Sequence, residues 1–450
     1  MKDSNFLKEN NAKFLWHPMG HPGQLRNNTP TIITSASGVR IKDIDGHETI
    51  DAVGGLWNVN LGYSCTPVKQ AIAGQLDALP YYSAFAGTTN TAAIELSYEL
   101  QDWFGADGMT RAFFTSGGSD SVETALRLAR QYHKIRGDTG RTKYLSLKKG
   151  YHGTHMGGAS VNGNNRFRTA YEPLLPGCHH IPAPYTYRNP FNESDPAQLA
   201  DLCIKALVDE IAFQGAETIA AFIMEPVLGA GGIIPPHERF MPQVREICTQ
   251  NGILLIADEV ITGFGRTGDW SGSRHWGVKP DFMCLAKAIT NGYFPFGAAM
   301  ISQEVAETFE NDKSGAANIG HGYTYSAHPV GAAAALACLA ETKRLDVASN
   351  AAARGAEMFV GVQQLMEKHA LVGDVRGGHG LMTAIELVAD RASKTPVDKT
   401  VAEQIARVAY DNGVMVRVSG HNILLSPPLV ITSDDVQQIL KGLDAGLSAA

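Results

Sequence analysis

Short runs in which every residue is apolar alternate, in the middle of the chain, with longer segments whose apolar residues recur at helical spacing. Continuous apolar runs are typical of strands covered on both faces, and their alternation with helices favours a mostly parallel sheet. The predicted central strands are Ala112–Thr115, Tyr144–Leu147, Ala220–Met224, Ile253–Ala257, Phe282–Ala286 and Ala298–Ile301.

The two ends of the chain have a different pattern. A small antiparallel meander is predicted before the central strands, and an Ala-rich helix with further strands is predicted after His328-Pro329. We therefore expect an α/β fold with a large domain over residues 66–328 and a smaller α+β domain that residues 1–65 and 329–450 form together. The strands predicted for the smaller domain are Thr31–Ser35, Val39–Asp43, Glu48–Asp51, Leu381–Leu387 and Ile423–Ser426.

Composition excludes several classes of protein. The chain has 450 residues, 47 glycines and 18% charged residues, which suits a large enzyme and not a disordered or fibrous protein. The net charge of -7 argues against nucleic acid as a partner. None of the six cysteines forms a C-x-x-C pair, so we expect no zinc or redox motif and assign no metal. Because no signal peptide or membrane-length apolar run is found, we expect a cytoplasmic protein without membrane contact.

A candidate anion site follows the strand at Ala112–Thr115. The segment Ser116-Gly117-Gly118-Ser119 is a tight turn, and Asp120 and Glu123 after it have the spacing of a helix capping box. The free N–H groups and the dipole at a helix N-terminus attract anions such as phosphate. The alternative is an ordinary capped helix after a glycine turn.

A second glycine pattern, Gly263-Phe264-Gly265-Arg266-Thr267-Gly268, matches the G-x-G-x-x-G of dinucleotide-binding proteins. That interpretation requires a helix to begin at the third glycine, whereas the residues that follow Gly268 are poor helix formers. Nicotinamide-dependent oxidoreduction is therefore kept only as a remote alternative.

Two charged residues end buried strands. Asp258 follows Ile253–Ala257, and Lys287 follows Phe282–Ala286. A buried carboxylate needs a cationic partner, and a buried lysine has a lowered pKa and attacks carbonyl groups. Each residue taken alone is as well explained by a turn cap or by a lysine that reaches the surface.

Taken together, the anion turn, the acid and the lysine meet the requirements of pyridoxal phosphate. Lys287 would form the Schiff base, Asp258 would keep the pyridine nitrogen protonated, and the turn would anchor the phosphate. An aromatic ring should cover one face of this cofactor. Tyr151, in Tyr151-His152-Gly153 after the strand at Tyr144–Leu147, is the candidate.

Residues 255–268 and 287–297 resemble the signature of class III, fold-type-I pyridoxal-phosphate aminotransferases, specifically the omega-amino-acid and amine:pyruvate branch, and the resemblance covers nearly the whole chain. It implies that Val260 packs on the cofactor opposite Tyr151. It also implies that Thr324 reaches the phosphate of a neighbouring subunit, so that the enzyme is a homodimer with shared sites, and it leaves a tetramer open. The implied cofactor contacts are Gly117, Gly118, Ser119, Tyr151, His152, Glu225, Asp258, Val260, Lys287 and Thr324.

The resemblance also implies a substrate pocket with walls from Trp57, Phe85 and Tyr151, and an Arg417 whose guanidinium grips the carboxylate of a keto acid. The implied reaction moves an amino group from a primary amine or omega-amino acid to pyruvate, giving L-alanine, by a ping-pong mechanism. The alternatives within the family are 4-aminobutyrate, ornithine or taurine as donor, or a decarboxylase or aminomutase. A cofactor-binding regulator is the alternative outside enzymes.

The chain departs from the family pattern at the phosphate turn. Ser-Gly-Gly-Ser-Asp stands where the family usually has Asn-Ser-Gly-Ser-Glu. The hydroxyl donor missing at Gly117 predicts weaker retention of the cofactor. His421 and Thr154 lie at positions that vary in the branch, and they leave the specificity open.

Overall fold

The computed structural model describes residues 2–85 and 87–450; Met1 and Ala86, which fall within the predicted small and large domains, lie outside the described residues. The strands are β1 (Ile33–Ser37), β2 (Arg40–Asp43), β3 (Glu48–Asp51), β4 (Met109–Thr115), β5 (Lys143–Leu147), β6 (Cys178–Ile181), β7 (Ile219–Met224), β8 (Leu254–Asp258), β9 (Phe282–Leu285), β10 (Gly297–Ser302), β11 (Val372–Arg376), β12 (Thr383–Asp390), β13 (Thr395–Pro396), β14 (Val414–Met415), β15 (Arg417–Ser419) and β16 (Asn422–Leu425).

The helices lie between and around these strands. They are α1 (Ser4–Asn10), α2 (Pro22–Asn27), α3 (Gly54–Trp57), α4 (Thr66–Ala78), α5 (Thr91–Phe104), α6 (Gly118–Ile135), α7 (Met156–Val161), α8 (Pro196–Gln214), α9 (Phe240–Gln250), α10 (Gly272–His275), α11 (Gln303–Glu310), α12 (Pro329–Arg344), α13 (Val347–Lys368), α14 (Lys399–Asp411) and α15 (Ser433–Ser448).

The central sheet has the strand order β4-β10-β9-β8-β7-β5-β6. Only β10 runs antiparallel to its neighbours among these described strands, so the sheet is mostly parallel, as the alternation of strands and helices predicts. All six predicted central strands are present. The strand β6 was missed because it lies at the sheet edge and its sequence, Cys-His-His-Ile, is only partly buried.

Both faces of the central sheet are covered, which explains its uninterrupted apolar strands. In β8, Leu255 and Ala257 belong to the core that packs against α8 and α9, whereas Leu254 and Ile256 belong to the core under α6. The carboxyl ends of β5, β7, β8 and β9 therefore lie along one edge of a rigid sheet, and β4 points the same way.

The two ends of the chain meet in the sheet β1-β2-β3-β14, where β14 pairs in parallel with β3. A third sheet contains β11, β12, β16 and β15, with β13 beside β12. The predicted domain boundaries at 65/66 and 328/329 stay predictions. One local prediction is wrong: α6 begins at Gly118, before Asp120, and the Asp120 carboxylate accepts a hydrogen bond from the backbone of Ser116 (3.0 Å).

Candidate active site

A cavity of about 380 Å³ lies beyond the carboxyl ends of the central strands. Ligands of open α/β sheets bind at this edge, since side chains that follow neighbouring parallel strands converge there. Nine of the predicted site residues line the cavity: Gly117, Gly118, Ser119, Tyr151, His152, Glu225, Asp258, Val260 and Lys287.

Lys287 lies two residues after Leu285, the last residue of β9, and its backbone adopts a left-handed conformation with φ 52°. Such a conformation is unfavourable for a residue with a side chain and is found where the surrounding structure enforces it, often at active sites. Burial lowers the pKa of Lys287 to about 8, against the opposing effects of the Asp258 and Glu225 carboxylates. A substantial neutral fraction of this amine therefore exists near neutral pH, as a nucleophile requires.

Asp258 ends β8, and its carboxylate is held by two donors. Its Oδ2 lies 2.9 Å from Nδ1 of His152, and its Oδ1 accepts a hydrogen bond from the backbone N–H of Val260 (3.2 Å). Both side chains of the histidine–aspartate pair are buried. These contacts hold the negatively charged Asp258 carboxylate at the cavity, where it can accept a hydrogen bond from a cationic group.

The anion turn lies at the N-terminus of α6. Gly117 is the N-cap residue and has an extended backbone. No side chain of the described residues caps the first turn, so the first N–H groups of α6 are available beside the cavity that Gly117, Gly118 and Ser119 line. A Cβ at Gly118 would lie 3.0 Å from Cγ1 of Val260, and a Cβ at Gly153 (φ +98°) would lie 2.6 Å from Oγ of Ser119. Glycines thus let the turn, the strand end and the Tyr151 loop approach one another.

The structure gives Glu225, whose task the sequence left open, a defined set of contacts. Its carboxylate accepts hydrogen bonds from the backbone N–H groups of Tyr151 (2.9 Å) and Gly229 (2.8 Å). Burial raises the pKa of Glu225 to about 7. Glu225 therefore ties the loop that follows β7 to the loop that carries the Tyr151 ring, which in turn packs edge-on against Phe167 (4.8 Å between centroids).

Four predicted site residues are not among those that line this cavity. Trp57 is buried in the hydrophobic core, while its neighbours Leu56 and Asn58 line the cavity. Phe85 is 52% exposed. The carbonyl of Thr324 accepts a hydrogen bond from the hydroxyl of Tyr81 (2.7 Å). Tyr81 lies four residues before Phe85.

Arg417, the fourth of these residues, is half-buried, and its charge acts on both Tyr151 and Lys287. It therefore lies beside the cavity without lining it. The roles predicted for Trp57, Phe85, Thr324 and Arg417 stay predictions.

Sequence reasoning missed Asn162, which organises the loop that carries Tyr151, His152 and Gly153. Its Oδ1 accepts from the His152 backbone N–H (2.5 Å), and its Nδ2 donates to the Gly153 carbonyl (2.9 Å). An asparagine in a glycine-rich segment carries no pattern that would single it out. Thr290, Phe294 and Phe296 also line the cavity; they lie within the signature at 287–297, but the sequence assigned them no role.

The second glycine pattern does not form a nucleotide site. Residues 259–271 form turns, and only the four-residue α10 follows. The Arg266 side chain is fully buried and donates to the carbonyls of Leu381 (3.0 Å) and Pro427 (2.6 Å) and to Asn60 (2.7 Å). These glycines therefore accommodate a structural arginine that joins distant segments.

The family model for class III aminotransferases matches residues 23–447. This chain belongs to the class III aminotransferases. It is 35% identical over 418 residues to the putrescine–pyruvate aminotransferase of Pseudomonas aeruginosa, covering 93% of this chain and 90% of that protein. It is 34% identical over 441 residues to the taurine–pyruvate aminotransferase of Bilophila wadsworthia, covering 96% and 94%.

A solved amine transaminase from an uncultivated Pseudomonas species, in its pyridoxal-phosphate-bound form, superposes on this aminotransferase with a TM-score of 0.95. The two are 47% identical, and the match covers 97% of this chain and 98% of the other. The fold is therefore that of fold-type-I pyridoxal-phosphate enzymes, and this aminotransferase depends on pyridoxal phosphate, as the sequence predicts.

The residues of the cavity fit this cofactor. The uncapped N-terminus of α6 offers donors for a phosphate, and the Asp258 carboxylate in the cavity could pair with a protonated ring nitrogen. The Lys287 amine has no hydrogen-bond acceptor among the described residues. Within residues 2–85 and 87–450, no group of three His, Cys, Asp or Glu side chains is placed to hold a metal ion. No helix in the same residues has the length and apolar character needed to cross a bilayer.

Proposed function

We propose that this aminotransferase moves the amino group of a primary amine or omega-amino acid to pyruvate, releasing L-alanine, by a ping-pong mechanism. The observation that carries the proposal is the position of Arg417, half-buried beside Tyr151, with no hydrogen-bond acceptor for its guanidinium among the described residues. A guanidinium beside the cavity, without an acceptor of its own, is suited to the carboxylate of a keto acid. The pyruvate-dependent relatives and the amine transaminase support the same assignment.

The side chains divide the work between them. When bound, pyridoxal phosphate supplies an electrophilic carbonyl and a ring that withdraws electrons. Lys287 would hold the cofactor through that carbonyl, and its Nζ would take up and return the proton that moves during the transfer. Asp258, whose carboxylate is fixed by His152, would hold the proton on the ring nitrogen. Tyr151 and Val260, which both line the cavity, would cover the ring and exclude water.

We also propose that the enzyme is a homodimer with shared sites. The Phe85 ring lies beside Gly322, two residues before Thr324, yet neither Phe85 nor Thr324 lines the cavity of its own chain. Phe14 (80%), Trp16 (74%) and Tyr82 (54%) are strongly exposed for large apolar side chains, and a subunit contact would remove this apolar surface from water. A second copy of this chain would bury them and bring Thr324 and Phe85 to the partner's cavity.

The test is a donor panel against pyruvate, with L-alanine measured as product. The panel contains 1-phenylethylamine, putrescine, beta-alanine, taurine, ornithine and 4-aminobutyrate, and a parallel series replaces pyruvate by 2-oxoglutarate. We expect 1-phenylethylamine, putrescine or beta-alanine with pyruvate to give the highest kcat/KM. A highest kcat/KM with 2-oxoglutarate, or with taurine, 4-aminobutyrate or ornithine as donor, would replace the proposal by the corresponding alternative.

Arg417→Ala tests whether the Arg417 guanidinium binds the carboxylate of the keto acid. It should raise KM for pyruvate about 10- to 100-fold, the range for a charge-assisted pair, and leave KM for 1-phenylethylamine nearly unchanged. Arg407→Ala, at an exposed arginine of α14, is the matched control.

A further inference from the structure

The position of Arg417 is set by the backbone of a hairpin, since its guanidinium has no acceptor among the described residues. Strands β15 and β16 pair with Arg417 opposite Leu424 and Ser419 opposite Asn422. Gly420, in a left-handed conformation (φ 63°), and His421 form the turn between the two strands. Anything that fixes this turn therefore fixes the direction from which Arg417 approaches the cavity.

The turn contacts a buried charged cluster, which we call the Glu386 cluster and which consists of Glu386, Arg376, Arg188, Tyr185 and Asp374. Glu386, on β12, has a fully buried side chain. It accepts hydrogen bonds from Tyr185, from Nε of Arg188 (2.5 Å) and from Nη1 of Arg376 (2.8 Å). Arg376 also contacts Asp374 (2.5 Å). With so many partners, the Glu386 carboxylate is a rigid anchor.

His421 joins the turn to this anchor. Its Nε2 lies 3.4 Å from Oε1 of Glu386, and its carbonyl accepts a hydrogen bond from the backbone N–H of Leu387 (2.9 Å). The His421 imidazole is 30% exposed, whereas the Glu386 side chain that it contacts is fully buried. The side chain of Asn422, next in the chain, accepts from Nη2 of Arg376 (2.6 Å).

The Glu386 cluster also reaches two other segments at the cavity. Arg376 donates from Nε to the carbonyl of Gly232 (2.9 Å), at the end of the loop that begins with Glu225. Lys149, two residues before Tyr151, places its ammonium 5.0 Å from the centre of the Tyr185 ring. The Glu386 cluster thus fixes the hairpin of β15 and β16, which we call the Arg417 hairpin, relative to the loops that carry Tyr151 and Glu225.

We infer that His421 is a positioning residue for the keto acid: its contact with Glu386 holds the Arg417 hairpin so that the guanidinium meets the substrate carboxylate. The inference rests on the proposed role of Arg417. A displacement of a binding group by about 1 Å is enough to cost up to about 10²-fold in a reaction step. Substrates without a carboxylate do not use Arg417 and are indifferent to its exact direction.

The kinetic test compares two acceptors in the holoenzyme, pyruvate and the carboxylate-free benzaldehyde, with one amine donor. His421→Ala should raise KM for pyruvate about tenfold and change kcat/KM for benzaldehyde less than about twofold. His421→Gln, whose amide can donate to Glu386, should recover most of the loss. His369→Ala, which breaks a histidine–aspartate pair with Asp444 in another part of the chain, is the control and should leave both acceptors unchanged. Equal losses with both acceptors, or no change in KM for pyruvate, would overturn the inference.

A double-variant cycle separates this inference from the proposed function. If His421 acts through Arg417, His421→Ala should have no further effect on KM for pyruvate in an Arg417→Ala background. A strong Arg417→Ala effect with a silent His421→Ala rejects only the inference. A silent Arg417→Ala rejects the proposed role of Arg417 and the inference with it.

Calorimetric titration with propionate gives a readout that needs no turnover. Its Kd should rise about tenfold in His421→Ala and stay unchanged in His369→Ala. A Kd that is the same in wild type and His421→Ala would overturn the inference.

Discussion

The imidazole Nδ1 of His152 lies 2.9 Å from Oδ2 of Asp258, and both side chains are buried at the bottom of the active-site cavity. Because a carboxylate only accepts hydrogen bonds, Nδ1 carries the hydrogen. The histidine therefore fixes the direction of the carboxylate that we propose as the partner of the cofactor's ring nitrogen.

His152→Ala should lower kcat about tenfold or more, because the Asp258 carboxylate loses a donor and can turn away from the ring nitrogen. His152→Asn, which can restore a donor, should recover part of the activity. The exposed pair of His275 and Asp269 (2.8 Å) provides the control, since His275→Ala should leave kcat unchanged. Full activity of His152→Ala would show that Asp258 needs no such support.

The lowered pKa of Lys287 predicts how the rate at which the cofactor-free protein binds pyridoxal phosphate depends on pH. Only the neutral amine attacks the carbonyl, so the attachment rate should rise about tenfold per pH unit below pH 8 and level off above it. The rise of the visible absorption band after mixing measures this rate. A midpoint near the ordinary lysine pKa would contradict the prediction, and Lys287→Ala should show no band.

Glu225 should make the stability of the cofactor-free protein depend on pH. Its pKa in the folded chain is about 7, above the ordinary value of 4.5, so its contribution is fully present below about pH 4.5 and is lost as the pH rises through 7. Glu225→Gln removes this titration. The difference in Tm between Glu225→Gln and wild type should therefore become more positive, by about 2–4 °C, between pH 5.5 and 8.5. Glu367→Gln, at an exposed site, is the control, and a difference independent of pH would refute the prediction.

Gly117→Ser should tighten the binding of pyridoxal phosphate. The backbone of Gly117 is extended, and a Cβ there would meet no atom within 4 Å, so a serine fits and its hydroxyl can add a donor at the anion turn. One hydrogen bond to a charged group supports a decrease of Kd of about tenfold. Gly74→Ser, where a Cβ also has open space, should leave Kd unchanged. Weaker binding by Gly117→Ser would mean that the hydroxyl displaces the phosphate.

The central sheet could be predicted from the sequence because a strand covered on both faces must be apolar at every position, as in β8 and β9. The edge strand β6 lacks this requirement and was missed. The start of α6 was predicted wrongly because Asp120 and Glu123 show the spacing of a capping box. The N-cap residue is Gly117, three residues before Asp120.

By itself, the sequence determined the class of this protein, through the resemblance at residues 255–268 and 287–297. It also determined that Asp258, Lys287 and the anion turn come together, because polar residues that directly follow apolar strands gather at one edge of a parallel sheet. Only the tertiary structure decided which buried groups support them. The contacts of His152 with Asp258, Glu225 with Tyr151, and His421 with Glu386 join segments that are 106, 74 and 35 positions apart. No local pattern encodes such contacts, because each depends on how separate strands and loops are packed against one another.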